Sequence, residues 1–189
     1  MKNNRVFRAV WLAAAMLGLT FGSNAFAAKG GSGGDLTDFV GSYSGTITFP
    51  TTLFGAGPVL NYTGPGLLVV TAKGKKASII FMCSASAPLA VGTSVSINSK
   101  LSSTGKFTTG GNISGEPFNP ASGKFKVRGK KLTSTPYSFV VPSNLTTLNW
   151  GVSYKISGKS VTATGPAVFS YFGFTSAGTF TFKGKRLAQ

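Results

Sequence analysis

The stretch Leu67–Cys83, LLVVTAKGKKASIIFMC, constrains the fold more than any other part of this chain. Two apolar, largely β-branched runs flank Lys73-Gly74-Lys75-Lys76, the layout of a β-hairpin with a tight loop. A type II′ turn wants Gly first, which puts Gly74-Lys75 at the two loop positions. Ala72 then faces Ala77, Val70 faces Ile79 and Leu68 faces Phe81. The other face pairs Thr71 with Ser78, Val69 with Ile80 and Leu67 with Met82. Far from the turn both faces are apolar, so this hairpin is expected at the centre of a β core, covered on both sides.

The remaining chain reads in the same terms. Tyr43, Gly45, Ile47 and Phe49 alternate with Ser42, Ser44, Thr46 and Thr48, a half-buried strand that Pro50 is expected to stop. Thr51–Gly66 carries Pro58, Pro65 and four glycines and reads as loop, with a short edge strand near Val59–Tyr62. Val95, Ile97, Ser99 and Leu101 alternate in another strand, followed by one from Phe107 that Gly110-Gly111 bends or bulges. Asn119-Pro120-Ala121-Ser122-Gly123 has turn chemistry and precedes a strand at Lys124–Arg128. A second clear hairpin centres on Gly158-Lys159, with Ile156 facing Val161, Tyr154 facing Ala163 and Val152 facing Gly165. Ala167–Phe172 and Thr179–Lys183 supply closing strands. No stretch beyond residue 27 keeps a helical apolar period. About ten to twelve short strands therefore predict a single all-β domain, an antiparallel β-barrel or β-sandwich of meander-like hairpins.

A Gly-Lys pair recurs at Gly74, Gly105, Gly123, Gly129, Gly158 and Gly184, which places a lysine at or near each hairpin tip. Gly41-Ser42-Tyr43 resembles the G-x-W opening of lipocalin-like barrels, with Tyr where that family has Trp. No residue role is carried over from it.

Residues 1–27 have the parts of a signal peptide: Lys2, Arg5 and Arg8, an apolar run Ala9–Leu19, and Ala25-Phe26-Ala27 before the cut. The run is shorter than the ~20 residues a membrane span needs. No cysteine follows it at the cut, so no lipid anchor is expected. Residues 28–38 form a Gly-rich lead-in and 39–189 the β domain. The expected location is periplasmic or extracellular, with the outer membrane as the alternative. Cleavage would lower the formal net charge from +16 to +13, against only Asp35, Asp38 and Glu116 as acids. Such a chain is drawn to polyanions. Cys83, the single cysteine, sits in an apolar run and reads as a buried, inert thiol.

The sequence has no histidine, which removes the usual general base, the usual metal ligand and any Ser-His or Cys-His dyad. Three scattered carboxylates suit neither a glycosidase pair nor a metal site, so no cofactor is expected. Ser103-Thr104-Gly105-Lys106 matches S-x-x-K without its companion motifs. Gly158-Lys159-Ser160 resembles the end of a P-loop but has Ser153 where a glycine is required. Asn61, Asn112 and Asn144 head N-x-[ST] triplets, relevant only in a glycosylating host.

The expected role is non-enzymatic, a binding or structural module at the bacterial envelope. A small outer-membrane barrel and a hydrolase of unfamiliar type are the alternatives. Lys124, Lys126, Arg128, Lys130 and Lys131 form the candidate polyanion site, since alternate strand residues share a face about 7 Å apart. Lipopolysaccharide, acidic glycan, anionic lipid or nucleic acid would suit it. The same cations would also protect an exposed edge strand from aggregation. Tyr171, Phe172 and Phe174 form a candidate aromatic surface, which core packing would equally explain.

Overall fold

The computed structural model describes residues 36–52, 59–73, 76–86, 93–143, 146–171 and 174–188. The expected signal segment and most of the lead-in lie outside them. A 3-10 turn, Leu36–Phe39, precedes twelve strands: β1 Gly41–Thr52, β2 Val59–Lys73, β3 Lys76–Ala85, β4 Thr93–Leu101, β5 Lys106–Ile113 and β6 Glu116–Arg128. Then come β7 Lys131–Ser134, β8 Tyr137–Val141, β9 Thr146–Trp150, β10 Ser153–Ser157, β11 Ser160–Tyr171 and β12 Phe174–Arg186.

The order is an up-and-down meander that returns to its start. β1 to β6 pair each with the next, β6 pairs β7, and β12 pairs back onto β1 from Tyr43↔Arg186 to Thr52↔Ala177. β7 and β8 are halves of one strand interrupted around Pro136, and β9 and β10 are halves of another interrupted at Gly151-Val152. β7 pairs β10 and β8 pairs β9, while β11 holds β10 with its first residues and β9 with its later ones. Counting each interrupted pair once gives a closed, ten-stranded antiparallel barrel. Of the two expected architectures, the barrel forms.

The central hairpin has the register expected from its sequence: Leu68↔Phe81, Val69↔Ile80, Val70↔Ile79 and Lys73↔Lys76 are opposite one another. Ile156↔Val161 and Tyr154↔Ala163 also pair as expected, but the ladder stops at Ser153↔Thr164. Val152 does not reach Gly165, where a Cβ would come within 1.7 Å of the Gly151 carbonyl oxygen.

Several expectations shift because the strands are longer than Pro and Gly suggested. β1 continues through Pro50, and β2 begins at Val59 and runs through Pro65 inside what reads as a loop. Asn119-Pro120 is no turn. The register slips between Thr109 and Gly111, so this segment is a bulge within β6 opposite the Gly110-Gly111 bend. The actual reversal is Ser114-Gly115, with φ of 51° and 90°. The end of the expected lead-in is already ordered: Leu36–Phe39 forms a 3-10 turn whose Leu36 and Phe39 are both buried against the barrel.

Alternation sorts the side chains between lumen and outer wall. Inward, Phe81 is the hub. Its ring meets Trp150, Phe180 and Phe182 at centroid distances of 6.1, 6.2 and 5.4 Å, and Trp150 stacks on Phe180 at 4.1 Å. A second cluster joins Phe107 to Tyr137 and Tyr137 and Phe118 to Phe139. Outward, Leu67, Val69, Ile80 and Met82 are half-buried beside one another. The second apolar face of the central hairpin is thus partly shielded by its own cross-strand pairs.

One end of the barrel, here called basal, holds the start of β1, the end of β12 and the turns after β2, β4, β6 and β10. The 3-10 turn closes it. The Tyr43 hydroxyl, buried beneath, donates to the Phe39 carbonyl at 3.2 Å and accepts from Arg186 Nη2 at 2.6 Å. The Arg186 guanidinium carbon also lies 5.2 Å from the Tyr43 ring centroid.

The register makes a sharp prediction from two neighbouring isoleucines. Ile79 points into the lumen with 4% exposure, while Ile80 points outward. Ile79→Ala should cost about 2–5 kcal/mol in denaturant unfolding, the usual range for a buried Ile→Ala. Ile80→Ala should cost under about 1 kcal/mol, as its site is half-open and leaves no closed cavity. Equal losses would mean that the strand does not alternate as described.

Candidate functional site

The lumen offers little room. A cavity of about 20 Å³ lies among Ile79, Ser99, Leu101, Phe107, Tyr137 and Tyr154. That volume holds about one water, far below the 300 Å³ or more of a typical ligand pocket. Burial holds the phenols of Tyr137 and Tyr154 well above the ordinary range, with Tyr154 adding a smaller push on Tyr137. Cys83 also faces inward, half-buried. Desolvation raises its thiol to about 12 despite an opposing hydrogen bond with the Val95 backbone, which fits the expected inert thiol. Among the described residues, no group of three or more His, Cys, Asp or Glu could hold a metal ion.

The outer wall is chemically uneven. Every described Lys and Arg lies within the last five residues of its strand at the basal end, or in a turn there. All are exposed. The described part of the opposite, distal end holds no cation and carries Glu116, whose carboxylate accepts from the Ser143 hydroxyl at 2.9 Å. Asp38 is the other described acid.

Turn chemistry explains part of this polarity. Gly129-Lys130 and Gly158-Lys159 are two-residue hairpin loops, with Gly at φ 52° and 58° in the first position and an exposed Lys in the second. Lys73↔Lys76 flanks a third such loop, whose Gly74-Lys75 lies outside the described residues. Both described tips point basally, and Lys73 and Lys76 lie at the same end. Gly123-Lys124 and Gly184-Lys185 are not turns, contrary to the expectation that each pair marks a tip. There the glycine faces inward, where a Cβ would come within 2.7 Å of the Phe107 and Phe182 rings respectively, and the lysine faces out.

The five candidate cations all belong to this end. Lys124, Lys126 and Arg128 line the outer face of β6, Lys130 occupies the turn, and Lys131 opens β7. β6 is no sheet edge, since β5 and β7 pair with it on either side, so edge protection does not explain its charges. Folding adds cations that sequence proximity could not show. Arg128 faces Lys131, Lys131 faces Lys155, and Lys155 is followed across β11 by Thr162 and then Lys183. Lys106 faces Lys124 on the neighbouring ladder. Like charges directly opposite destabilise a sheet. The recurring Gly-Lys pairs were the one sequence signal for this pattern.

The aromatic candidates are less defined. Tyr171↔Phe174 is the last pair of the β11–β12 ladder at the distal end. Phe172 and the side chains of Tyr171 and Phe174 lie outside the described residues.

Two outcomes follow from these electrostatics. Lys131→Glu would turn two repulsive cross-strand pairs into attractive ones, and the unfolding midpoint should rise by about 2–4 °C at low salt. The gain should shrink as salt screens it. Separately, Cys83 and the two tyrosines are held neutral in the fold and ionise more readily unfolded. Their contribution is complete below about pH 9 and is lost as pH climbs toward 12. Tyr154→Phe should flatten the alkaline part of the stability profile in urea titrations; an unchanged slope would contradict the burial assigned to that phenol.

No family model matches the sequence, and no curated protein matches it. Among solved structures, the chain is similar to Rv2717c from M. tuberculosis, with a TM-score of 0.51 over 81% of this chain and 95% of that one. The two are 14% identical, so the likeness concerns the barrel alone.

Proposed function

We propose that this protein is a non-enzymatic, exported β-barrel that binds a polyanionic component of the cell envelope through its basal end. The observation that carries this reading is the row Arg128–Lys131–Lys155–Lys183, lined up across neighbouring strands with Thr162 as its one neutral member. A surface needing only solubility has no reason to stack like charges opposite one another. An anionic partner neutralises such a row on contact. The filled lumen supports a role on the outside of the barrel. The outer wall, mainly Ser, Thr, Asn and Lys around a packed apolar interior, is the reverse of the apolar exterior a membrane-spanning barrel presents, which weighs against the outer-membrane alternative.

Short duplex DNA serves as a generic phosphate-bearing probe. Binding should weaken steeply with salt, with log K falling against log salt by about 0.9 for each phosphate neutralised. The triple change Lys126→Ser, Arg128→Ser and Lys131→Ser should flatten that slope by up to about three units. Salt-insensitive binding, or none at low salt, would discard the reading.

A further inference from the structure

We infer that the polyanion is a flat anionic lipid surface, on which the barrel stands with its basal end down. This rests on the proposed polyanion binding and names its partner. Two observations favour a plane over a linear polymer.

The first is angular coverage. The cations are not confined to the β6–β12 side; Lys73, Lys76, Lys100 and Lys106 occupy β2 to β5 on the other half of the circumference. A nucleic acid or glycan strand lying against the wall would meet one side and leave the other unused. A plane meets the whole rim at once. Ten strands about 4.8 Å apart and tilted by about 40° enclose a ring about 20 Å across, so the rim lysines can reach many lipid headgroups together.

The second is the charge axis. Cations ring one end, while the described residues of the other carry only Glu116. Near a negative plane this arrangement favours one orientation, because potential decays over a Debye length of about 8 Å at physiological salt, well short of the barrel's height.

Arg186 takes no part in docking, since Tyr43 and the Asp38 carbonyl occupy its guanidinium.

The test uses the purified chain with vesicles of phosphatidylcholine, with and without 30% phosphatidylglycerol, at about 0.15 M salt, where screening confines the field to about 8 Å. Anionic vesicles should sediment the protein and neutral ones should not. A rim variant (Lys76→Ser, Lys130→Ser, Lys159→Ser) should bind on the order of 100-fold more weakly, at roughly fivefold per lysine near such a surface. A charge-matched distal variant (Asn61→Glu, Thr63→Glu, Ala177→Glu), which lowers the net charge by the same amount at exposed positions far from the rim, should lose less than about tenfold. A fluorophore on Ser103→Cys in the basal β4–β5 turn should be quenched by headgroup-labelled lipid, and one on Asn119→Cys near the distal end should not. Native Cys83 does not compete, as burial keeps its thiol protonated.

Equal losses from the two variants, or quenching at both ends, would overturn end-on docking. Binding to duplex DNA without preference for anionic vesicles would overturn the lipid partner and leave the broader polyanion reading standing. Failure to bind either probe would remove both.

Discussion

Filling the lumen is the constraint on which the rest of the barrel depends. Eight strands enclose a space that ordinary side chains fill; ten enclose more. This chain meets the difference with rings. Phe81, Trp150, Phe180 and Phe182 come from β3, β9 and β12, so one cluster ties the middle of the meander to its last strand. Aromatic side chains bury 150–250 Å² each, and tilted contacts add to that area term. Such bulk needs gaps opposite it, and the inward glycines at 123 and 184 supply them. The inward phenylalanines and the inward glycines beside them are complementary parts of one packing solution.

A filled barrel has consequences for its surface. With the described interior mainly apolar, the charges sit outside, and alternation leaves each strand only half its positions for them. Three acids cannot balance 19 Lys and Arg. Spread evenly over both ends, the cations would mostly face Ser, Thr or Asn across the ladders. The chain instead gathers the described ones at one end and sets several directly opposite each other. This local crowding against sheet stability is what the proposed polyanion binding would account for.

Much of the barrel was legible because hairpins are local. At Leu67–Cys83, apolar composition, alternation and a two-residue loop all point to one register, and that register forms. The shared end of the Gly-Lys turns was not legible, and the reason is parity. In a meander, alternate turns point the same way, so the direction of each tip depends on the strand count before it. Pro136 and Gly151-Val152 look like strand ends but only interrupt continuous strands; Asn119-Pro120 looks like a reversal but is a bulge. Any one miscount sends Gly158-Lys159 to the wrong end. The row from Arg128 to Lys183 passes through Lys131↔Lys155, which pairs β7 with β10 across the intervening β8 and β9, so no single hairpin reveals it. The closure by Leu36 and Phe39 was hidden for another reason: two apolar residues beside a Gly-rich tract carry no periodic signal.

The proposed polyanion binding would couple to stability through ionic strength, with opposite signs. In the free protein, salt screens Arg128 from Lys131 and Lys131 from Lys155, so it relieves a repulsion of the folded sheet. In the proposed complex, salt would compete with the partner for those same cations and weaken the contact. A bound polyanion relieves the repulsion as salt does, through countercharge held in place. A partner of the proposed kind would therefore stabilise the barrel twice: by mass action, because it would bind the folded state, and by removing a repulsion that state carries alone. The unfolded chain keeps the same charges but holds them farther apart, so a polyanion gains less from it. Folding concentrates the field, and the filled lumen keeps it on the outside.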